Sequence, residues 1–381
     1  MFVNLEEQKI GKYNIRFYIQ GEPQLIIIDD LIPVNSDNFP AFCQSQRNKV
    51  WPIILEKAWA KLHNGYENCS AGQTDVALSF LTGAPCKYVD HVKKEHELWQ
   101  TLLESDKKLH ITASTVSKQK EESKEILNDN GISNNHAYSV IKLQIAQLQD
   151  GNEEKLINLR NPWGKGEFNS DWNKNDKKWT LDLQKKLAYE YLQKGEFWMS
   201  IQDFQTQFHN SQICMVNDFF FRNILKVPTQ KEQFYAFEFD VKQELDIEEL
   251  HLIVYQMNEK LGEIKYGEFK QSEVQILIGR KETNQNIKNQ FPIDFVASRK
   301  AEKYETVISN FDKLIPGKYL LLLEIDWTQS FAQDIVIAAY SAQDIKLTQV
   351  QYDHSILLMH KGKLWNLFCL EQFKPKYYIG N

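Results

Sequence analysis

From residue 216 onward the sequence changes character, and this change limits the folds that the chain can adopt. Between residues 216 and 350, short runs rich in β-branched and aromatic residues are separated by polar segments, at the spacing typical of an antiparallel β-sandwich. The clearest runs are residues 235–241, 251–255, 274–279, 306–309, 319–324 and 334–339. Helical and strand patterns are mixed before residue 216. The sequence therefore predicts an α+β protein with two domains, residues 1–216 and residues 217–381.

The first 216 residues carry both kinds of pattern. Apolar and charged residues at helical spacing predict helices at residues 50–62, 75–81 and 89–105. Alternating or apolar runs beside turn residues predict two hairpins, one from residues 13–20 and 25–30 and one from residues 137–146 and 155–160. Near the C-terminus, residues 355–370 are again β-rich, and residues 374–378 are predicted to form an arm.

Charge and hydropathy exclude two classes of protein. The chain has 45 Lys and Arg residues against 51 Asp and Glu residues, a net charge of −6, and no basic block, so we expect no nucleic-acid partner. Its longest apolar runs, residues 25–28 and 319–323, are far shorter than the roughly 20 residues of a membrane span. The N-terminus has no apolar signal segment, and the five cysteines include no Cys-x-x-Cys pair. We therefore expect a cytoplasmic protein without a membrane span.

Two residues of the second hairpin carry the chemistry. His136 begins one strand and Asn161 follows the other, so the side chains come close to facing each other if the loop centre lies near residue 148 or 149. Symmetric pairing about Gly151 would misplace them by several residues. A histidine held by an asparagine amide is the general-base half of a Cys-His-Asn system. The alternative, which spacing alone favours, is a strand-edge histidine beside a turn asparagine.

Two further histidines, His91 and His96, lie in the segment HVKKEH. The two residues are five positions apart on the predicted charged helix, which does not match the adjacent-turn spacing of a zinc-binding helix. We therefore expect a solvent-facing helix surface here.

Longer motifs surround His136 and Asn161. They read Gly-Ile-Ser-Asn-Asn-His-Ala-Tyr-Ser-Val around His136 and Leu-Arg-Asn-Pro-Trp-Gly around Asn161, followed by Gly-Glu-Phe-Trp-Met-Ser from Gly195. Upstream are Asp-Asp-Leu-Ile-Pro from Asp29 and Trp-Pro-Ile-Ile-Leu-Glu from Trp51. In this order, over residues 11–216, the motifs resemble those of the calpains, papain-like cysteine proteases of the cytoplasm.

The resemblance implies a papain-like protease core, represented by its His/Asn subdomain, followed by a calpain-type (C2-like) β-sandwich with a C-terminal extension. For residues 217–381 it rests on position and strand pattern alone. It implies that His136 is the general base, that Asn161 orients it, and that Trp163 shields their hydrogen bond from water. For Trp163 a role as a core aromatic is the alternative, and both roles can hold together.

The resemblance does not supply a nucleophile. In calpains the catalytic cysteine lies in a Gly-Asp-Cys-Trp segment at a helix N-terminus, upstream of the Asp-Asp-Leu-Pro-like segment, where the dipole and the histidine favour the thiolate. We expect this chain to begin after that segment and after the glutamine of the oxyanion hole. None of its cysteines precedes a tryptophan. Cys43 and Cys69 are expected to be structural, and the chain alone is expected to be inactive.

Calpain activity depends on calcium, and the resemblance implies one ion in each half of the protease core. In the His/Asn half, Glu167 and Glu196 match acidic positions of the family, whereas Lys174 and Lys194 occupy the other two. Calcium needs several oxygen ligands, so the ammonium groups predict a weak or lost site. Two aspartates could replace them through a shifted loop, Asp171 and Asp176.

Two functions from different classes remain open. The first is a calpain-like cysteine endopeptidase that cuts protein substrates and needs a nucleophile from a longer gene product or another chain. The second is a non-catalytic calpain-like scaffold, or pseudoprotease, with a protein partner covering the open apolar face near Trp163. Intact His136 and Asn161 favour the first function or a recent loss of activity. A β-sandwich adaptor is a third reading for residues 217–381.

Overall fold

The computed structural model describes residues 1–45, 49–93, 96–106, 110–115, 127–164, 168–228, 232–246, 248–281, 293–301, 304–308, 313–328 and 333–351. The chain divides into two compact units, Met1–Ala71 with Asp218–Asn381, and Gly72–Asn217. The second unit ends beside the predicted domain boundary, whereas residues 1–71 group with the C-terminal part of the chain. The assignment of residues 1–216 to one domain stays a prediction. The predictions for residues 355–370 and 374–378 lie outside the described residues.

The first 71 residues form a three-stranded sheet and a helix. Their elements are β1 (Phe2–Val3), β2 (Lys12–Ile19), β3 (Glu22–Asp29), α1 (Trp51–Leu62) and 3-10 helices at Leu5–Ile10 and Tyr66–Cys69. The predicted hairpin is confirmed, but its turn lies at Gln20 and Gly21, which both have positive φ. Pro23 is therefore inside β3, which is an edge strand and tolerates a residue without an N–H. Helix α1 is confirmed, with Pro52 in its first turn.

Residues 72–217 form the unit that contains the candidate catalytic residues. Its strands are β4 (Cys86–Asp90), β5 (His110–Ser114), β6 (Ala137–Gln147), β7 (Glu153–Arg160), β8 (Glu196–Ser200) and β9 (Asn210–Cys214). Its helices are α2 (Thr74–Thr82), α3 (Leu98–Asp106), α4 (Leu181–Lys186) and α5 (Ile201–Gln207), with a 3-10 helix at Tyr189–Tyr191. The strands form one antiparallel sheet in the order β4-β9-β5-β6-β7-β8.

The hairpin of β6 and β7 is confirmed, with a different register from the expected one. Gln147 pairs with Glu153, which centres the turn on residue 150, later than expected. Towards the other end of the hairpin a β-bulge between Val140 and Lys142 shifts the pairing. A bulge adds an unpaired residue and bends its strand. It lies next to the part of β6 that leads back to His136.

The predicted helix over residues 89–105 is wrong in its first half. Val89 belongs to β4, which pairs with β9, and the helix α3 begins only at Leu98. The Asp90 carboxylate accepts hydrogen bonds from the backbone N–H groups of Val92 and Lys93, which turns the chain at the strand end. His91 is consequently buried at 2% exposure instead of lying on a solvent-facing helix.

Residues 218–351 form the strand-rich part of the other unit. The elements are β10 (Phe221–Val227), β11 (Phe234–Val241), β12 (Leu245–Asp246), β13 (Leu250–Tyr255), α6 (Glu259–Tyr266), β14 (Glu273–Lys281), β15 (Ile293–Ala301), β16 (Glu305–Ile308), β17 (Lys313–Leu314), β18 (Gly317–Asp326), β19 (Ile335–Ser341) and β20 (Thr348–Val350). All six predicted strands are found. The sequence analysis missed β10, β15 and β20 among others, and helix α6.

Two antiparallel sheets dominate this region, in the orders β10-β19-β13-β16 and β15-β14-β18-β11-β20. One buried apolar cluster contains alternate residues of both sheets, for example Leu252 and Ile337 from the first and Phe237 and Leu321 from the second. Alternation places every second side chain on one face of a strand. The chain is thus α+β. None of the described helices is long and apolar enough to cross a membrane.

Candidate active site

His136 and Asn161 meet in the unit of residues 72–217. The Nε2 atom of His136 lies 2.9 Å from Oδ1 of Asn161, and both residues are buried, at 8% and 2% exposure. His136 precedes β6 and Asn161 follows β7, so strand pairing does not by itself align them. Their positions depend on two sets of backbone hydrogen bonds outside the hairpin.

Thr115 fixes the backbone of His136. The Thr115 hydroxyl accepts a hydrogen bond from the His136 N–H at 3.0 Å, and the His136 carbonyl accepts one from the Thr115 N–H at 3.0 Å. The same hydroxyl donates to the Ser133 carbonyl at 2.7 Å. These hydrogen bonds hold His136 at the end of the neighbouring strand β5. The sequence analysis did not identify Thr115.

Gly195 fixes the backbone of Asn161. Its carbonyl accepts a hydrogen bond from the Asn161 N–H at 2.9 Å. Gly195 has φ of +81°, and a Cβ at this position would lie 2.7 Å from the Asn161 carbonyl oxygen and 2.9 Å from Gly164 Cα. Only glycine fits this close approach without a shift of the backbone. The signal was present in the sequence, because Gly195 opens the Gly-Glu-Phe-Trp motif.

The hydrogen bonds to Asn161 determine the tautomer of His136. The Asn161 Oδ1 atom also lies 3.0 Å from the backbone nitrogen of Trp163, which is a donor. An atom that accepts from a backbone N–H is the amide oxygen, so the Nε2 atom of His136 must donate to it. In the neutral ring this leaves the lone pair on Nδ1, the nitrogen available to accept a proton.

Two aromatic side chains contact the imidazole. The Trp163 ring lies 4.3 Å from it between centroids, and the Tyr138 ring meets it edge-on at 5.1 Å. Tyr138 is fully buried, whereas Trp163 is 50% exposed. Trp163 therefore covers one face of the imidazole and leaves much of its own surface to solvent. It is not a core aromatic.

The described cysteines lack the environment of an activated thiol. Burial raises the pKa of Cys43, with a further contribution from the charge of Glu56, and burial also raises the pKa of Cys69. The pKa of Cys214 is lowered, first by a hydrogen bond from Cys86, but Cys214 is fully buried. A nucleophilic cysteine needs both a lowered pKa and access. Cys369 lies outside the described residues.

Glu196 lies in a pocket of about 460 Å³, which Lys174 and Lys194 also line. Its Oε2 atom accepts a hydrogen bond from the Gln193 N–H at 3.0 Å. Glu167 lies outside the described residues. The two lysines predicted to interfere with calcium binding thus line the same pocket as the glutamate.

Asp171 and Asp176, which were considered as calcium ligands in place of the two lysines, bind other groups. The Asp171 carboxylate pairs with Lys178 Nζ at 2.9 Å, and Asp176 accepts from the backbone N–H groups of Trp172 and Lys178. Neither aspartate lines the pocket. Across the described parts of the chain, no group of three or more His, Cys, Asp or Glu side chains could hold a metal ion. Among the described residues that line this pocket Glu196 is the one carboxylate, whereas calcium needs several oxygen ligands.

His91 and His96 do not form a site together. The His91 ring nitrogens contact the Phe208 carbonyl at 2.8 Å and the Ser211 hydroxyl at 2.8 Å, and burial lowers the pKa of His91 to about 4. His96 is exposed. His91 is therefore a neutral core residue that links β4 to β9.

Comparison with protein families matches residues 2–215 to the calpain family of cysteine proteases. The calpain-type cysteine protease ADL1 of Oryza sativa subsp. japonica is 34% identical over 226 residues, 57% of this chain and 10% of the rice protein. Calpain-14 of Homo sapiens is 34% identical over 212 residues, 55% of this chain and 30% of the human protein. The chain thus spans less than a third of the length of these curated relatives.

Among solved structures, the cysteine protease and lectin-like domains of a surface layer associated protein of Clostridium difficile match 64% of this chain and 50% of that chain. Their identity to this chain is 13% and the TM-score is 0.20. The family match, by contrast, covers more than half of the 381 residues. The chain belongs to the calpain family of cysteine proteases.

Proposed function

We propose that this chain supplies the histidine and asparagine of a calpain-type cysteine endopeptidase. The observation that carries the proposal is the hydrogen bond from His136 Nε2 to Asn161 Oδ1, together with the Trp163 N–H that identifies the acceptor as oxygen. In this arrangement Nδ1 is the base that takes the proton of the attacking thiol and later gives it to the leaving amine. General acid–base catalysis of this kind typically contributes about 10²–10⁴-fold in rate.

Asn161 and Trp163 would orient and protect the imidazole of His136, the general base. Asn161 holds the ring in one tautomer and stabilises the imidazolium, because its oxygen accepts from Nε2 in both protonation states. Trp163 would protect this hydrogen bond from water on the face that its ring covers, at 4.3 Å between centroids. A hydrogen bond is stronger where water does not compete for its partners.

The nucleophile would come from outside the described cysteines. Cys43 and Cys69 have raised pKa values, and Cys214 is inaccessible, so none of these three is suited to the attack. We place the thiol on a longer gene product or on another chain. The substrates would be proteins, and the site of action the cytoplasm.

For residues 217–381 we propose a β-sandwich of the calpain type. The proposal is supported by the two antiparallel sheets, of four and five strands, and by an apolar cluster of described residues that includes side chains of both sheets. Aligned sheets that share one core are the defining feature of a sandwich.

A second candidate function is a non-catalytic scaffold. It is favoured by the lysines at positions 174 and 194 and by the unsuited thiols, which both depart from the calpain pattern. A protein partner would then cover the His/Asn face near Trp163, half of whose surface is exposed.

One experiment separates the two functions. The protein is purified from its source, its intact mass and N-terminal peptide are determined, and it is treated with a thiol-directed epoxide. For the protease we expect a mass above 44.8 kDa, a Gly-Asp-Cys-Trp-like peptide and labelling of its cysteine. Labelling should be lost in His136→Ala and retained in His110→Ala, a control at an exposed histidine of the same unit.

The contrary results are equally specific. A mass of 44.8 kDa with Met1 at the N-terminus and no labelling would support the scaffold. Labelling of Cys43 or Cys69 that depends on His136 would contradict our placement of the nucleophile. A labelled protein whose reaction is unaffected by His136→Ala would contradict the role of the base.

A further inference from the structure

Cys86 and Cys214 lie opposite each other in the sheet of residues 72–217. Cys86 is the first residue of β4 and Cys214 the last of β9, and the two are register partners in the antiparallel pairing of these strands. Both side chains are buried, at 9% exposure for Cys86 and 0% for Cys214. A hydrogen bond joins the two thiols, so their sulfur atoms are neighbours. Neither thiol takes part in the proposed function.

The backbone hydrogen bonds on either side of the two cysteines show which kind of pair they form. The Met215 N–H donates to the Pro85 carbonyl at 2.9 Å, and the His91 N–H donates to the His209 carbonyl at 3.0 Å. Hydrogen-bonded and non-hydrogen-bonded pairs alternate along an antiparallel ladder. Counted from either end, the two cysteines form a non-hydrogen-bonded pair. In such pairs the Cα atoms are about 4.5 Å apart and the side chains are closer than in hydrogen-bonded pairs.

This position fits a disulfide bond. Disulfides usually join residues whose Cα atoms are about 4.4–6.8 Å apart, and a non-hydrogen-bonded pair lies at the short end of this range. The paired strands already hold both backbones, so the bond orders little further chain. We infer that Cys86 and Cys214 are a reversible oxidation site, at which a peroxide forms a disulfide between β4 and β9 within the native sheet.

The bond would form in two steps, with hydrogen peroxide as the oxidant. Cys86, the more exposed thiol, attacks one peroxide oxygen, so that an S–O bond forms, the O–O bond breaks and the departing oxygen leaves as water with the thiol proton. The Cys214 sulfur then attacks the sulfur of this sulfenic acid, the S–S bond forms, and the S–O bond breaks with release of a second water. Two thiols and one peroxide become one disulfide and two waters.

The disulfide would strengthen the sheet that supports the candidate active site. Strand β9 lies between β4 and β5, and β5 leads to Thr115, which holds the backbone of His136. The bond would also close a loop over most of residues 72–217, and closing a long loop lowers the entropy of the unfolded chain. The oxidised protein should therefore be more stable than the reduced one. The inference is independent of the proposed function, since it involves neither its base nor its nucleophile.

The test is oxidation of the folded full chain with hydrogen peroxide. The remaining thiols are alkylated in urea, and the digested protein is analysed by mass spectrometry. We expect a linked peptide pair that contains Cys86 and Cys214 and is lighter than the two separate peptides by two hydrogen atoms. Dithiothreitol should restore both thiols. The link should be absent in Cys86→Ala and present in Cys69→Ala, a control at a cysteine outside the sheet.

Urea unfolding of the same samples gives a second measurement. The unfolding midpoint of the wild type should rise after oxidation and return to its original value with dithiothreitol. Cys86→Ala, treated with peroxide in the same way, should show no rise, which separates the effect of the disulfide from other oxidation. Cys69→Ala should respond as the wild type does.

Three results would overturn the inference. The first is the absence of the Cys86–Cys214 link in the oxidised wild type, with Cys214 still open to alkylation. The second is a set of links to other cysteines in equal yield, because the sheet would then not select this pair. The third is a linked protein with a lower unfolding midpoint, because the bond would then not fit the native sheet.

Discussion

The imidazole Nε2 of His136 donates a hydrogen bond to the Asn161 side-chain oxygen across 2.9 Å, although neither residue belongs to the paired strands β6 and β7. The pair is positioned from outside the hairpin, His136 through Thr115 and Asn161 through Gly195. Strand pairing and the geometry of the site are therefore determined by different contacts.

The first prediction concerns the tautomer of His136. Nitrogen-15 NMR of the isolated chain should find the neutral ring of His136 protonated at Nε2, because Asn161 Oδ1 is an acceptor at that atom. In Asn161→Ala the ring should become a mixture of tautomers. The exposed His110 provides the reference signal in the same spectrum and should not change. A neutral ring protonated at Nδ1 in the wild type would be the contrary result.

The second prediction compares two glycines with similar backbone angles. Gly195 and Gly151 have φ of +81° and +84°, but a Cβ would meet other atoms within 4 Å only at Gly195. We expect Gly151→Ala to lower the free energy of unfolding by about 1–2 kcal/mol, from backbone strain alone. Gly195→Ala should lower it by roughly 2–5 kcal/mol, because overpacking adds to the strain. Urea unfolding measures both, and equal losses would contradict the steric argument.

The third prediction is a dependence of stability on pH through His91. Burial lowers the pKa of His91 from 6.5 to about 4, so the unfolded chain binds a proton that the folded chain rejects. This contribution to stability is present above the unfolded pKa and falls as the pH decreases from about 6.5 to about 4. The loss is about 3 kcal/mol, since one pKa unit corresponds to about 1.4 kcal/mol.

Urea unfolding at pH 7 and pH 4 would measure this loss. In His91→Gln, which cannot titrate, the change between the two pH values should be smaller by about 3 kcal/mol. His96→Gln is the control, because His96 is exposed. An unchanged pH dependence in His91→Gln would show that other groups carry it.

The fourth prediction concerns calcium. The wild-type chain should show no sub-micromolar calcium binding by isothermal titration, because the pocket of Glu196 also contains Lys174 and Lys194. The variant Lys174→Glu/Lys194→Glu should gain calcium binding, since it places two further carboxylates there. Lys142→Glu adds a carboxylate outside the pocket and should not. Tight binding by the wild type, lost in Glu196→Gln, would contradict the prediction.

Much of the candidate site could be predicted from local sequence. The hairpin and the positions of His136 and Asn161 follow from short motifs, and the lysines at positions 174 and 194 follow from the resemblance to the calpains. The register could not be predicted, because the bulge between Val140 and Lys142 is a tertiary adjustment of one strand against its neighbour. In the sequence analysis, which did not include the bulge, the contact between His136 and Asn161 depended on the position of the loop centre.

The error at residues 89–105 has a different origin. Charged residues gave the segment a helical pattern, but Val89 pairs in the sheet and Asp90 turns the chain before the helix begins. The grouping of residues 1–71 with residues 218–381 was likewise out of reach, since it depends on packing between segments far apart in the chain. Local patterns carry no information about such packing.

Trp163 gives the site an optical reporter of its own. One side of its indole faces the imidazole of His136, and half of its surface meets solvent. A protein that arrives at this face, bringing either a thiol or a scaffold contact, would remove water from the indole and shift its emission to shorter wavelength. The chain has nine tryptophans, so the difference between the wild type and Trp163→Phe isolates this signal. Docking at the histidine can therefore be followed by light before any bond is cut.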